Sequence, residues 1–177
     1  MLFWHIGASV AFIRYAFRDP LMDIRFLALG AVLADVIDLP VGIALWSTYE
    51  TPRLVGHSTI FALLVMVLVL IFTQRGPVRK RWILLSVGLL LHLALDAMWR
   101  SPETLWWPFF GSDFTPSGYE SFGEYAANIL RSPAMWMGEV AGFAYLGILW
   151  TRSAMSNQDA RRRFLSTGVV SAPIERT

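Results

Sequence analysis

The stretch from Leu84 to Trp99, LLSVGLLLHLALDAMW, sets the terms for the rest of the chain. It is apolar enough to cross a membrane or to lie deep in a helical bundle, yet it carries His92 and Asp96. At i, i+4 spacing in a helix, these two side chains share one face, one turn apart. A charge in hydrocarbon costs from about 2.5 kcal/mol upward, so both groups need partners. One reading is a His–Asp hydrogen bond packed inside the bundle. The other is a pair of metal ligands, which requires other segments to bring more ligands to the same depth.

Composition narrows the setting. The 177 residues are 55% hydrophobic and only 16% charged, with a mean hydropathy of +0.50, more apolar than an ordinary soluble domain. The expected fold is all-α: a polytopic membrane bundle of about five transmembrane helices, in one domain over 1–150, followed by a polar cytoplasmic tail, 151–177. There is no cysteine, so any metal must be held by His, Asp and Glu. The net charge of +2 does not imply nucleic acid, because the basic residues cluster at segment ends. The start, MLFWHIGASVAF, lacks the basic region and cleavage site of a signal peptide and reads as the first helix of the mature protein.

The five apolar segments run from about Leu2 to Phe17, Arg25 to Trp46, His57 to Thr73, Arg81 to Trp99 and Pro133 to Trp150, with a long loop from Arg100 to Ser132. Arg75, Arg79, Lys80 and Arg81 follow the third segment, and Arg152 with Arg161, Arg162 and Arg163 lie in the tail. By the positive-inside rule these regions face the cytoplasm, which puts the N-terminus outside and the C-terminus inside. Trp99, Trp106 and Trp107 then fall at the outer interface, where indoles are favoured.

This topology assigns a depth to each polar residue. His92 and Asp96 lie in the outer half of the fourth segment. Asp35 and Asp38, at i, i+3, share a face in the second. His57 and Ser58 open the third, His5 is near the outer end of the first, and Glu139 lies in the outer half of the fifth. All three histidines and four acids thus converge on one layer, whereas structural polar residues would scatter through both leaflets. Imidazole and carboxylate donors suit zinc and, less selectively, manganese or iron. Two divalent cations would offset four carboxylates, and seven donors exceed one tetrahedral site. Singly, each element has another reading. His5 could be an interfacial polar residue, and Asp35 with Asp38 a proton path or partners of Arg14. Ser58 or Thr59 could simply cap the third helix, and Glu139 could pair with Arg131.

The order of motifs resembles the YdjM-like inner-membrane family, described as membrane-bound metal-dependent hydrolases. That family shows a Pro-Asp-x-Asp segment, a His-Arg-Gly-x-Thr-His-Ser segment, and His-x-x-x-Asp before Leu-Trp-Pro-Phe. Here Leu29-Gly30-Ala31 with Asp35, Arg53 with His57-Ser58, and His92 with Asp96 and Trp106-Trp107-Pro108-Phe109 correspond. The departures are Ala34 for the proline, Asp38 one residue late, Pro52 for the leading histidine, and Leu54 and Gly56 within the second motif. The resemblance covers roughly Leu2 to Phe110. It implies a distant similarity to the zinc-dependent phospholipase C and S1/P1 nuclease group, with a helical zinc cluster that cleaves phosphate esters.

Together these readings predict a metal-dependent hydrolase of the cytoplasmic membrane, its active site facing outward. His5, Asp35, His57, His92, Asp96 and Glu139 would hold one to three zinc ions. Asp38, or whichever acid is not committed to metal, would be the general base, and Ser58 would orient a ligand. A lipid or lipid-linked phosphate is the expected substrate, with 100–132 as a lid or headgroup-selecting surface. The main rival is a proton- or metal-ion-coupled transporter, disfavoured by VMVLVLIF and WILLSVGLL, the nearly polar-free inner halves of segments three and four. A third reading is a structural subunit held together by metal.

Overall fold

A computed structural model describes residues 1–19 and 21–170. Helices α1 (Leu2–Phe17), α2 (Ile24–Ala44) and α3 (Trp46–Tyr49) come first. A 3-10 turn, Val55–His57, leads into α4 (Thr59–Phe72) and α5 (Pro77–Leu95). A second 3-10 turn, Met98–Arg100, precedes α6 (Pro102–Leu105), α7 (Phe122–Arg131), α8 (Pro133–Arg152) and α9 (Gln158–Thr167). No strand occurs among the described residues, so the all-α expectation matches.

The five apolar segments are all helical, but five complete spans do not follow from them. Among the described residues, only α2, with 21 residues and a mean hydropathy of 2.0, is long and apolar enough to cross a membrane. At ~1.5 Å per residue, the 14 residues of α4 reach about 21 Å, short of a hydrocarbon core of roughly 30 Å. The first five residues of α5, PVRKR, are strongly basic. The flanks are nevertheless greasy. Leu63, Leu64, Val67, Leu68, Ile71 and Phe72 of α4 are exposed, as are Trp136, Met137, Val140, Phe143 and Ile148 of α8. Contiguous apolar surface of this extent marks a membrane or partner interface.

Two other expectations change. The loop from Arg100 to Ser132 contains α6 and α7. The tail from Thr151 contains α9, with 171–177 lying outside the described residues.

Helix packing rests on small residues, as is usual where lipid removes the hydrophobic drive between helices. A Cβ at Gly30 would lie 2.1 Å from the Leu85 carbonyl oxygen, and one at Gly88 would lie 2.5 Å from that of Leu27. Helices α2 and α5 therefore touch backbone to backbone. The same device joins α1 to α8, where a Cβ on Gly142 would fall 2.0 Å from the Phe3 carbonyl oxygen. At the end where α9 docks, Asp23 accepts from Arg25 and Arg81, and Lys80 pairs with Asp19 at 2.7 Å. The Lys80 hydrogen bond holds the Asp19 carboxyl below its ordinary range.

Candidate metal centre

The backbone contact between α2 and α5 builds the first part of the centre. It brings the Ala31 carbonyl within 2.7 Å of His92 Nδ1. That nitrogen must donate, since a carbonyl only accepts, so Nε2 of a neutral His92 carries a lone pair. His57 is fixed in the same way, with Nδ1 2.7 Å from Asp38 Oδ2. His5 Nδ1 is bonded to the Met1 carbonyl. All three imidazoles are buried, and each is tied by Nδ1 to an acceptor, leaving Nε2 to face the interior of the cluster.

The Nε2 atoms meet with carboxylates. His92 Nε2 and His57 Nε2 are 3.2 Å apart. Asp35 Oδ1 lies 3.4 Å from His57 Nε2 and 3.7 Å from His92 Nε2. Asp96 Oδ1 is 2.9 Å from His5 Nε2, and its Oδ2 is 3.9 Å from His57 Nε2. The His5 and His92 rings stack at 4.3 Å. Donors bound tetrahedrally at about 2.0–2.2 Å are separated by roughly 3.3–3.6 Å, which matches the spacing around His57, His92 and Asp35. His5, His92 and Asp96 form one group compatible with a cation, and Asp35, His57 and His92 a second. They share His92, whose single inward nitrogen can serve one ion at a time.

Two lone pairs facing each other at 3.2 Å repel unless a proton or a cation lies between them. A divalent cation there would remove that repulsion, as a proton would, so these residues fit a metal. Charge gives the same answer. Three carboxylates (Asp35, Asp38 and Asp96) against one Arg53 guanidinium leave a negative side-chain balance that a dication would offset.

Asp38 and Glu139 take other places than the sequence reading gave them. The Asp38 carboxylate accepts from the backbone N–H groups of Leu54, Gly56 and His57 at 2.7, 2.9 and 3.0 Å, and from His57 Nδ1. Its Oδ2 is fully engaged and its Oδ1 is held by Gly56 N, so the carboxylate is committed to the turn. It holds a histidine and the 52–58 turn in register. The Gly56 Cα packs against it so closely that a Cβ would lie 2.8 Å from Asp38 Oδ1.

Glu139 caps α1, accepting from the N–H groups of Phe3 at 3.1 Å and Trp4 at 3.4 Å. It belongs to neither cation-compatible group. Glu139→Gln keeps an acceptor for α1, so the variant is expected to bind metal like the wild type in elemental analysis. Ser58 is the N-cap of α4, accepting from Phe61 N at 3.2 Å and donating to the Val55 carbonyl at 2.6 Å. Asp96 is the C-cap of α5 rather than part of its body, and Ala97 at φ 52° ends the helix there. The Asp96 N–H still reaches the His92 carbonyl at 2.9 Å, so the one-turn relation survives.

Arg53, which sequence alone does not single out from Arg100 and Arg131, proves central. Its NH2 group lies 2.9 Å from Asp96 Oδ2. With Asp35 and Asp96 it lines a cavity of about 550 Å³, walled otherwise by Leu39, Met135 and α7. Helix α7 is pinned to α3 through Trp46, whose ring lies 5.7 Å from those of both Phe122 and Tyr125. The Tyr125 phenol is pushed above its ordinary value, first by burial. Arg53 pulls it down, while the Asp96 and Asp35 carboxylates push it up, so Tyr125 is electrostatically in touch with the centre.

The sequence model of a family described as the YdjM inner membrane protein matches residues 2–165. The chain belongs to the YdjM family. The match runs from α1 to α9 and so includes α7 and α8, beyond the part that the motifs alone covered. Membership in an inner membrane protein family agrees with the apolar flanks of α4 and α8. No curated protein and no solved structure gives a match.

Proposed function

We propose that this YdjM protein is a membrane-bound metal-dependent hydrolase that cleaves a phosphate ester of a lipid or lipid-linked substrate at the outer face of the cytoplasmic membrane. The observation that carries the reading is the set of three buried imidazoles, each held by Nδ1, whose Nε2 atoms face two carboxylates. Either His5, His92 and Asp96 or Asp35, His57 and His92 would hold one divalent cation, zinc being the best match to this donor set. A zinc ion there would supply Lewis acidity toward a phosphoryl oxygen and toward water.

The chain's own groups do the rest. With the cation in the His5, His92 and Asp96 group, Asp35, which is 40% exposed and lines the cavity, is the carboxylate left to take a proton from attacking water. Water oxygen adds to phosphorus as Asp35 takes its proton, the ester P–O bond breaks, and Asp35 returns that proton to the leaving alkoxide to give the alcohol. The similarity to phospholipase C and S1/P1 nuclease sites belongs to this proposal, as does the outward orientation taken from the distribution of basic residues.

Ion-coupled transport is the second reading, and one feature favours it. Ser9 and Ser86 are fully buried on α1 and α5, and their hydroxyls have no hydrogen-bond partner among the described residues. Buried polar atoms of this kind would suit a path for ions through the bundle.

The deciding experiment reconstitutes the protein in nanodiscs with mixed phospholipids and follows products by phosphorus NMR. Hydrolysis that a chelator abolishes, zinc restores and His92→Ala lacks is the expected result. No product, together with zinc or proton flux in proteoliposomes, would establish the transporter instead.

A further inference from the structure

The cavity above the centre has two chemically different parts. Its floor is polar, made of Asp35, Asp96 and Arg53, the last being the single cationic side chain among the described residues that line it. The rest of its lining is largely apolar, with Leu39 from α2, Met135 from α8, and Ile129 and Leu130 from α7, beside Tyr125, Asn128 and Ser132. Leu39 and Leu130 are themselves 38% and 58% exposed, so the walls run out onto the greasy flank of the molecule, where Val36 and Ile43 of α2 are also bare. At about 550 Å³ it falls in the usual range for small-ligand sites, roughly 300–1,000 Å³.

Arg53 is held without being used up. A guanidinium has five N–H donors in a planar fork, and the one ion pair it makes among the described residues is through Nη2 to Asp96 Oδ2. The side chain remains 35% exposed, on the cavity side. Asp96 thereby aims the fork, while its other oxygen engages His5.

We infer that Arg53 and the underside of α7 form the substrate subsite, which takes an anionic amphiphile from the bilayer, its phosphoryl oxygens on the guanidinium and its chain along Leu39, Ile129, Leu130 and Met135. This inference rests on the hydrolase reading for the identity of the anion, but not for its binding. Arg53 is a specificity-determining residue here and not a ligand of the metal. Because Asp96 serves both groups, a cation at the centre draws charge from Asp96 and frees Arg53 for the substrate. Metal and anion therefore bind cooperatively, and each must raise the affinity of the other by the same factor.

The test uses the full chain in a neutral detergent, with dodecyl phosphate as probe and dodecanol and dodecyltrimethylammonium as controls. Binding is followed by calorimetry. Metal content is measured on the same samples. The wild type is expected to bind dodecyl phosphate more tightly than either control, and more tightly with zinc than without. Arg53→Leu is expected to weaken the phosphate probe by about tenfold to a hundredfold, a charge-assisted hydrogen bond's worth, with dodecanol unchanged and metal retained. Arg53→Lys, which keeps the charge and loses the fork, should fall between.

Equal binding of all three probes, or wild-type affinity in Arg53→Leu, overturns the inference. So does parallel loss of metal and phosphate probe in both variants, which would make Arg53 a mere strut for Asp96. Arg53-dependent binding in a protein that holds no metal would leave the subsite standing and remove the hydrolase reading.

Discussion

His92→Ala protein purifies without metal. His92 is the ligand common to both cation-compatible groups, and its loss leaves neither with three donors. Changing a residue that merely orients a ligand costs about 10–100-fold in metal affinity, so removing the shared ligand should cost at least the upper end of that range. The fold should survive. Alanine removes a buried ring from α5 but restores apolar character to a helix already held to α2 at Gly30 and Gly88. Helical content by circular dichroism is therefore expected to match the wild type, while elemental analysis shows the metal gone. His5→Ala and His57→Ala should weaken binding less completely, since each leaves one three-donor group intact.

Asp38→Asn is the substitution expected to damage folding and metal binding together. Asp38 Oδ2 accepts from Leu54 N, His57 N and His57 Nδ1, and Oδ1 accepts from Gly56 N. Asparagine can supply one oxygen only. With that oxygen on the His57 side, its NH2 group points at the Gly56 N–H, donor against donor. A buried donor left unsatisfied costs about 1–3 kcal/mol, a sizeable part of a typical stability of roughly 5–15 kcal/mol. Thermal unfolding in detergent should shift down measurably, and zinc affinity should fall by about 10–100-fold as His57 loses its support. Asp38→Ala orphans all four donors and is expected to accumulate poorly. An unchanged unfolding temperature in Asp38→Asn would show that the 52–58 turn does not depend on this carboxylate.

The cluster was legible because burial and chemistry conflict in the sequence itself. An imidazole and a carboxylate inside LLSVGLLLHLALDAMW require partners, and the partners lie in other apolar segments at matching depth. What depth cannot give is direction around a helix. Glu139 sits at the right height, but Gly142, three residues on, packs α8 against α1 and presents the acid to the N–H groups of Phe3 and Trp4. Asp38 has the spacing of a second catalytic acid. Its actual part depends on the 52–58 turn folding over it, a contact between α2 and the following turn that no local pattern encodes. Helix α7 reads as loop in the sequence because the Gly- and Pro-rich run before it dominates the window. Ser121 followed by Glu124 was the available signal, for Ser121 caps α7 by accepting from Glu124 N at 3.2 Å. The count of spans goes unsupported for a related reason. Apolar runs report burial in grease or protein alike, and α4 is apolar throughout yet too short to cross alone.

Elemental analysis of the purified wild-type protein, kept free of chelators and of histidine-tag metal, tests the centre most directly. One equivalent of a divalent metal per chain, with zinc foremost, is the predicted result. It should be retained in Glu139→Gln and lost in His92→Ala. Two or more equivalents would contradict the single ion that the shared His92 allows. No metal in a protein whose helices are intact would contradict the centre itself, and would leave the facing nitrogens of His57 and His92 to be bridged by a proton.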